Sequence, residues 1–367
     1  MSGLYFTTKS LTVGYDGKPL IRDITVALRR GEILTLIGPN GSGKSTILKS
    51  ITGQLKALGG VVCLDGTPTA ALGGRALSQK LAVVLTGRLK TELMTCREVV
   101  ASGRYPYTGL LGVLTAEDAR IVRAVMEQTD VWSLRDRDYT RISDGQRQRV
   151  LLARAVCQQP EIIVLDEPTT FLDIRYQLEL LRTLREMARR QNIAVILSLH
   201  ELDLAQKLSD RILCVKGETV AGYGPPEEIF TPARIRSLYG LERGSYDPVF
   251  GSVELGAPDG AARVFVIAGG GSGIAVYRAL QKREIPFITG VLHENDIDHH
   301  LAKALAAQVI DTPAFEPIGQ DAYQRALAAL RGCTTVYNCL QSYGTGNARN
   351  RELLAAARSM GLAIIEK

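Results

Sequence analysis

Three apolar runs in the first 240 residues are continuous rather than alternating: "EILTLIG" (Glu32–Gly38), "EIIVLD" (Glu161–Asp166) and "IAVILSLH" (Ile193–His200). Runs of this kind predict strands buried on both faces, as in a parallel sheet covered by helices. The stretch "LTAEDARIVRAVMEQTDVW" (Leu114–Trp132) instead has helical spacing, with Thr115 as N-cap and acids in its first turn. The early segments "YFTTKSLTVGY" and "GGVVCLDGTP" read as antiparallel strands. Residues 241–262 are rich in Gly, Pro and Asp and read as a linker. The strand–helix rhythm then restarts through "RVFVIAG", "PFITGVL", "AQVIDT", "TTVYNCL" and "LAIIEK". The pattern predicts an α/β chain with domains at 1–240 and 263–367, the second a compact five-stranded βα unit.

Composition narrows the class only modestly. The chain has 367 residues, 46% hydrophobic and 22% charged, as in ordinary globular proteins. No apolar run approaches the 18 residues needed to span a bilayer, and "MSGLYFTTKS" lacks a signal-type apolar core, so secretion is not expected. The net charge of +6 has no dense basic run behind it, which is not the footprint of nucleic-acid binding. Six scattered cysteines without CxxC pairing read as reduced thiols.

The chemistry concentrates in the first domain. "GPNGSGKS", Gly38–Ser45, follows a predicted strand and opens the helix "TILKSITGQL". It fits G-x-x-x-x-G-K-[ST], in which glycines let backbone N–H groups converge on phosphate oxygens and the helix start adds positive dipole. Lys44 is placed to reach β- and γ-phosphates and the Ser45 hydroxyl to ligate Mg²⁺. Downstream, "IIVLDE" ends a strand in two carboxylates: Asp166 for Mg²⁺ and Glu167 to take a proton from attacking water. His200 ends the next strand, beside where the γ-phosphate would sit.

Taken in order, these residues resemble the ATP-binding cassette family over about residues 1–240. Tyr15, in "LTVGYDG", stands where the family stacks an aromatic ring on adenine, and Gly38, Asn40, Gly41, Ser42, Gly43, Lys44, Ser45 and Thr46 form the nucleotide loop. "ISDGQRQRV" matches the signature loop; by resemblance Ser143, Asp144, Gly145 and Gln146 meet the γ-phosphate held by the other subunit of a head-to-tail dimer. Asp173 ends the D-loop "LDEPTTFLD", and His200 matches the switch histidine. Three departures stand out: Asp144 replaces the first glycine of the signature pair, Ile142 replaces leucine, and Thr86 in "LAVVLTGR" replaces the Q-loop glutamine.

The resemblance implies a cassette fold with a RecA-like core, an antiparallel β subdomain and a helical subdomain, followed here by a Rossmann-like α/β domain. "SGRYPYTG…LTAEDA" and "PTTFLDIRYQLELL" are similar to the ATPases of importers for iron–siderophore, haem and vitamin B12. That implies ATP with Mg²⁺, a second copy of the chain, two permease subunits, an external substrate-binding protein acting indirectly, and a peripheral position on the cytoplasmic face of the membrane. The competing reading is a soluble or ligand-sensing cassette ATPase without a transport role.

In the back domain, "VIAGGGSGIAVYRAL" (Val266–Leu280) could hold phosphate on its glycine loop, yet Ile274 stands where G-x-G-x-x-G needs its third glycine. "HENDIDHH" (His293–His300) suggests metal, although neighbouring His299 and His300 face apart on a helix. A tight βα turn in a regulatory or dimerising domain is the expectation, with a ligand of unidentified class lined by strand-end loops that include Asn338 and Ser342–Asn347.

Overall fold

The computed structural model describes residues 3–84, 93–109, 112–170 and 172–367. The chain divides into two compact units, Met1–Phe230 and Thr231–Lys367.

The first unit opens with β1 (Leu4–Tyr15) and β2 (Lys18–Arg29), antiparallel strands joined by Asp16–Gly17. Both turn residues have positive φ, 49° and 74°, as the tight hairpin turn that matches strand twist requires. Next come β3 (Ile33–Ile37), α1 (Lys44–Ile51), β4 (Gly59–Leu64), β5 (Thr67–Pro68), α2 (Gly74–Lys80) and β6 (Leu81–Val84). A helical segment follows: α3 (Cys96–Ala101), α4 (Ala116–Gln128) and α5 (Asp144–Cys157). The core then resumes with β7 (Ile162–Leu165), α6 (Ile174–Gln191), β8 (Ala194–Ser198), α7 (Leu202–Leu208), β9 (Arg211–Lys216), β10 (Thr219–Gly224) and α8 (Pro226–Ile229).

Two sheets result. The first, β2-β1-β4-β5, is antiparallel. The second runs β10-β9-β3-β8-β7-β6 and is parallel except at its β10 edge. Every residue of β3, β7 and β8 is buried, which is why those runs are apolar throughout. Thr115 caps α4 in a reciprocal capping box with Asp118. Asp118 also receives a buried bond from Arg104 (2.8 Å). The Thr115 bonds, then the arginine, pull its carboxyl down to about 2.

The second unit starts with α9 (Pro232–Tyr239), followed by a small hairpin of β11 (Ser245–Asp247) and β12 (Ser252–Glu254). This corrects the linker expected at 241–262. Tyr246 is 1% exposed, β11 packs against α9 and α11 (Ile297–Leu305), and buried Glu254 takes two 2.8 Å bonds from the Arg278 guanidinium. The Gly/Asp composition serves a turn: the Asp247 carboxylate accepts the N–H groups of Val249 and Phe250.

The remaining elements are β13 (Val264–Ile267), α10 (Ile274–Lys282), β14 (Phe287–His293), α11, β15 (Gln308–Thr312), α12 (Gln320–Leu330), β16 (Thr335–Asn338), α13 (Ala348–Ser359) and β17 (Ala363–Glu366). The five strands form a parallel sheet in the order β15-β14-β13-β16-β17. Strand order therefore reverses between β13 and β16, the switch point of a Rossmann-like sheet.

Candidate functional site

The nucleotide loop leaves the carboxyl end of β3, the centre of the parallel sheet. Gly38 sits at φ +149°, and a Cβ there would lie 2.1 Å from the Val215 carbonyl oxygen, so only glycine fits. Gly43, at φ +97°, precedes α1. Lys44 is 4% exposed, and its ammonium donates to the carbonyls of Gly38 (2.8 Å) and Pro39 (3.0 Å). Burial lowers the Lys44 pKa, while the charges of Glu167 and Asp166 work in the other direction. The Ser42 hydroxyl is buried without a hydrogen-bond partner among the described residues. A glycine cradle, an ammonium drawn over it and an orphaned hydroxyl fit a phosphate chain.

The carboxylates arrive from the neighbouring strands. Asp166 and Glu167 follow β7, and His200 follows β8, the strand between β3 and β7. A cleft of about 320 Å³ brings together Asn40, Lys44, Ser45, Thr46, Glu167 and His200. His200 Nε2 lies 2.6 Å from Glu167 Oε1. Asp166 is 1% exposed and accepts a 2.7 Å bond from the Ser198 hydroxyl. With the Ser45 hydroxyl on the cleft wall, these hard oxygen donors fit Mg²⁺. Tyr15 is 48% exposed, and its hydroxyl lies 3.3 Å from Thr46 Oγ1 at the loop's edge.

The signature residues do not line this cleft within one chain. Ser143 is the N-cap of α5: its hydroxyl accepts the Gln146 N–H, and the Gln146 side chain accepts the Ser143 N–H. Asp144 is paired with Arg147 on its own helix (2.5 Å). A Cβ on Gly145 would touch Leu172 at 3.4 Å. Asp173 caps α6 through the Tyr176 N–H. Thr86 lies outside the described residues.

Two residues of the site escaped sequence reasoning. Ser198 bridges Asp166 and Glu167, and Glu201 accepts a 3.0 Å bond from Thr169, tying the segment after His200 to the segment after Glu167. The available signal was position: Ser198 stands two residues before His200 on a strand predicted to end at the phosphates.

In the second unit a cleft of about 390 Å³ opens at the strand ends, with Gly269, Gly270, His293, Asp296, Ser342 and Asn350 in its wall. Its lining contains no lysine or arginine. The glycine loop donates inward: Gly270 N–H to Asp296 (2.8 and 3.0 Å), Gly273 N–H to Asp298 (3.1 Å) and Gly269 N–H to the Ser272 hydroxyl (3.2 Å). The chain's own carboxylates stand where a phosphate would, so the loop is closed on itself as a tight βα turn and not open as a phosphate cradle. The histidines disperse: His293 Nε2 lies 2.9 Å from the Glu316 carbonyl oxygen and His299 Nε2 3.1 Å from Asp311.

Residues 21–170 match the ABC transporter family model, and residues 287–366 match the MJ0874 family. An ABC transporter ATP-binding protein of Methanocaldococcus jannaschii is 40% identical over 286 residues, 78% of this chain and 99% of that one. The cobalamin import ATP-binding protein BtuD of Halobacterium salinarum is 33% identical over 312 residues, covering 83% and 78%. Among solved structures, the ATP-binding subunit of an ABC transporter superposes with a TM-score of 0.56 at 25% identity, over 67% of this chain and 98% of that one. With the glycine-rich loop, Glu167 and His200 assembled in one cleft, the chain belongs to the ATP-binding subunits of ABC transporters and is an ATPase.

Proposed function

We propose that this ATPase powers an importer of metal chelates of the cobalamin or iron–siderophore class, as two copies closing head to tail beneath two permease subunits fed by an external binding protein. The resemblance of the subfamily motifs supports the class, as does the cobalamin importer subunit among the relatives. No helix among the described residues is long and apolar enough to cross a membrane, which suits a subunit held peripherally at the cytoplasmic face.

The observation that carries the mechanism is the convergence of Lys44, Glu167 and His200 on one cleft. In this reading Lys44 exchanges its two carbonyl partners for β- and γ-phosphate oxygens. Glu167 takes the proton of the attacking water, and His200, 2.6 Å away, holds that carboxylate in place. Ser143 and the Gly145 amide of the second copy add donors to the γ-phosphate. Mg²⁺ held by Ser45 and Asp166 supplies charge neutralisation at the phosphates. The second unit, with its strand-end cleft, serves regulation or dimerisation by binding a small polar ligand and carries no step of hydrolysis.

Glu167→Gln tests this directly. ATP binding is retained while hydrolysis falls about 10²–10⁴-fold, and uptake of labelled cobalamin or ferric siderophore stops in cells carrying only that allele. Turnover within about threefold of wild type moves the base elsewhere; unchanged uptake of both chelates removes the import reading.

A further inference from the structure

We propose that Ser198 is a positioning residue for hydrolysis, holding the metal-binding carboxylate and the general base in register through one hydroxyl. This rests on the reading of Glu167 as the base. Ser198 ends β8, is fully buried, and pairs across to Leu36 at the end of β3. On the other side Leu197 pairs with Leu165, the last residue of β7. That register places the Ser198 side chain beside the turn that carries Asp166 and Glu167.

A serine hydroxyl has one proton to give and lone pairs to receive. Here the proton goes to Asp166 Oδ1 at 2.7 Å, and a lone pair takes the Glu167 backbone N–H at 2.8 Å. An ionised carboxylate accepts only and an amide N–H donates only, so the two bonds fix each other's direction.

The second bond matters because of the backbone it holds. Glu167 sits at φ +45°, in the left-handed region that a non-glycine residue occupies only when its surroundings impose it. That conformation turns its side chain away from Asp166 and toward His200. Losing the hydroxyl removes the imposed partner of the Glu167 N–H. The peptide is then free to relax, and the carboxylate drifts from the position of the attacking water. Lys44 and the glycine cradle are untouched, and ATP affinity is preserved.

The test is a double-mutant cycle in the full chain, pairing Ser198→Ala with Glu167→Gln and reading kcat and the Kd for ATP separately. We expect Ser198→Ala to lower kcat about 10–100-fold, the scale of a base present but misplaced, with the ATP Kd changed less than about threefold. In the Glu167→Gln background the same change should have no further effect, because the base it positions is already gone. A purely structural defect would instead weaken ATP binding and lower kcat equally in both backgrounds, and that additivity overturns the proposal. So does a folded Ser198→Ala enzyme with wild-type kcat. Should Ser198→Ala not fold, Ser198→Cys, with a weaker donor of similar size, runs through the same cycle with the same criteria. The two readings fail separately: near-normal turnover in Glu167→Gln removes the base, whereas an inactive Glu167→Gln beside a fully active Ser198→Ala removes only the positioning role.

Discussion

A truncation separates the two units more sharply than a point mutation. The first compact unit ends at Phe230, whereas the composition of the sequence places a linker at 241–262, so a cut at residue 255 falls inside that expected linker. Consider a protein of residues 1–255. It keeps α9 and the β11–β12 hairpin but loses what they pack against. Tyr246 is fully buried, and Phe250 packs on the core cluster that contains Val266, Tyr277 and Leu301. Returning the Tyr246 ring to water costs roughly 1.5–3 kcal/mol, and the half-buried Phe250 ring adds less. Glu254, 4% exposed, loses the Arg278 guanidinium together with the packing that buries it, so the two bonds that anchor the end of β12 are gone. A two-stranded hairpin is marginal in water by itself, so these losses exceed what it holds. Residues 245–254 therefore unfold in the 1–255 protein, while a 1–230 protein loses none of these contacts. Limited proteolysis with mass spectrometry, alongside basal ATPase activity, reads both consequences. Cleavage is expected within 231–255 of the longer protein, with equal turnover per mole of folded chain in both. A protease-resistant hairpin in the 1–255 protein would refute the packing argument. Loss of ATP binding in 1–230 but not in 1–255 would refute the boundary.

Two further outcomes are expected. Asp118 has its carboxyl pulled from 3.8 to about 2, so it stabilises the fold above pH 3.8 and loses that contribution as pH falls through about 2; the destabilisation by Asp118→Asn in urea unfolding should shrink over that window, and a pH-independent penalty would contradict it. With Mg-ADP saturating the cassette, calorimetry should show no pyrophosphate binding to the wild-type second unit and new binding in Asp296→Ala, which frees the Gly270 N–H; wild-type binding abolished by that substitution would invert the argument.

Much of the cassette was readable in the sequence because its elements are locally encoded. β3, β7 and β8 are continuous apolar runs, the nucleotide loop is one uninterrupted motif, and Thr115 announces α4 through its own side chain. The features that were not readable depend on pairings between distant segments. Ser198 gains its role only when β8 lies beside β7, a register no single stretch specifies. Asp296 and Asp298 look like a metal-type acidic cluster in sequence, yet they close a glycine loop some 25 residues upstream. The hairpin at 245–254 was misread for a simpler reason. Glycine and aspartate mark mobile linkers and tight turns alike, and only the burial of Tyr246 separates the two.

The cap on α5 also bears on the entropy of the proposed dimer closure. Ser143 uses a hydroxyl lone pair to receive the Gln146 N–H, and Gln146 returns the favour to the Ser143 N–H, so the start of the helix is shaped before any phosphate approaches. The serine proton takes no part in that arrangement and remains free to point outward. A loop that had to organise on contact would lose roughly 1–2 kcal/mol for each residue whose backbone it fixed. Here that ordering belongs to the folding of the subunit, and in the proposed head-to-tail dimer the free energy of nucleotide contact remains available to draw two copies together.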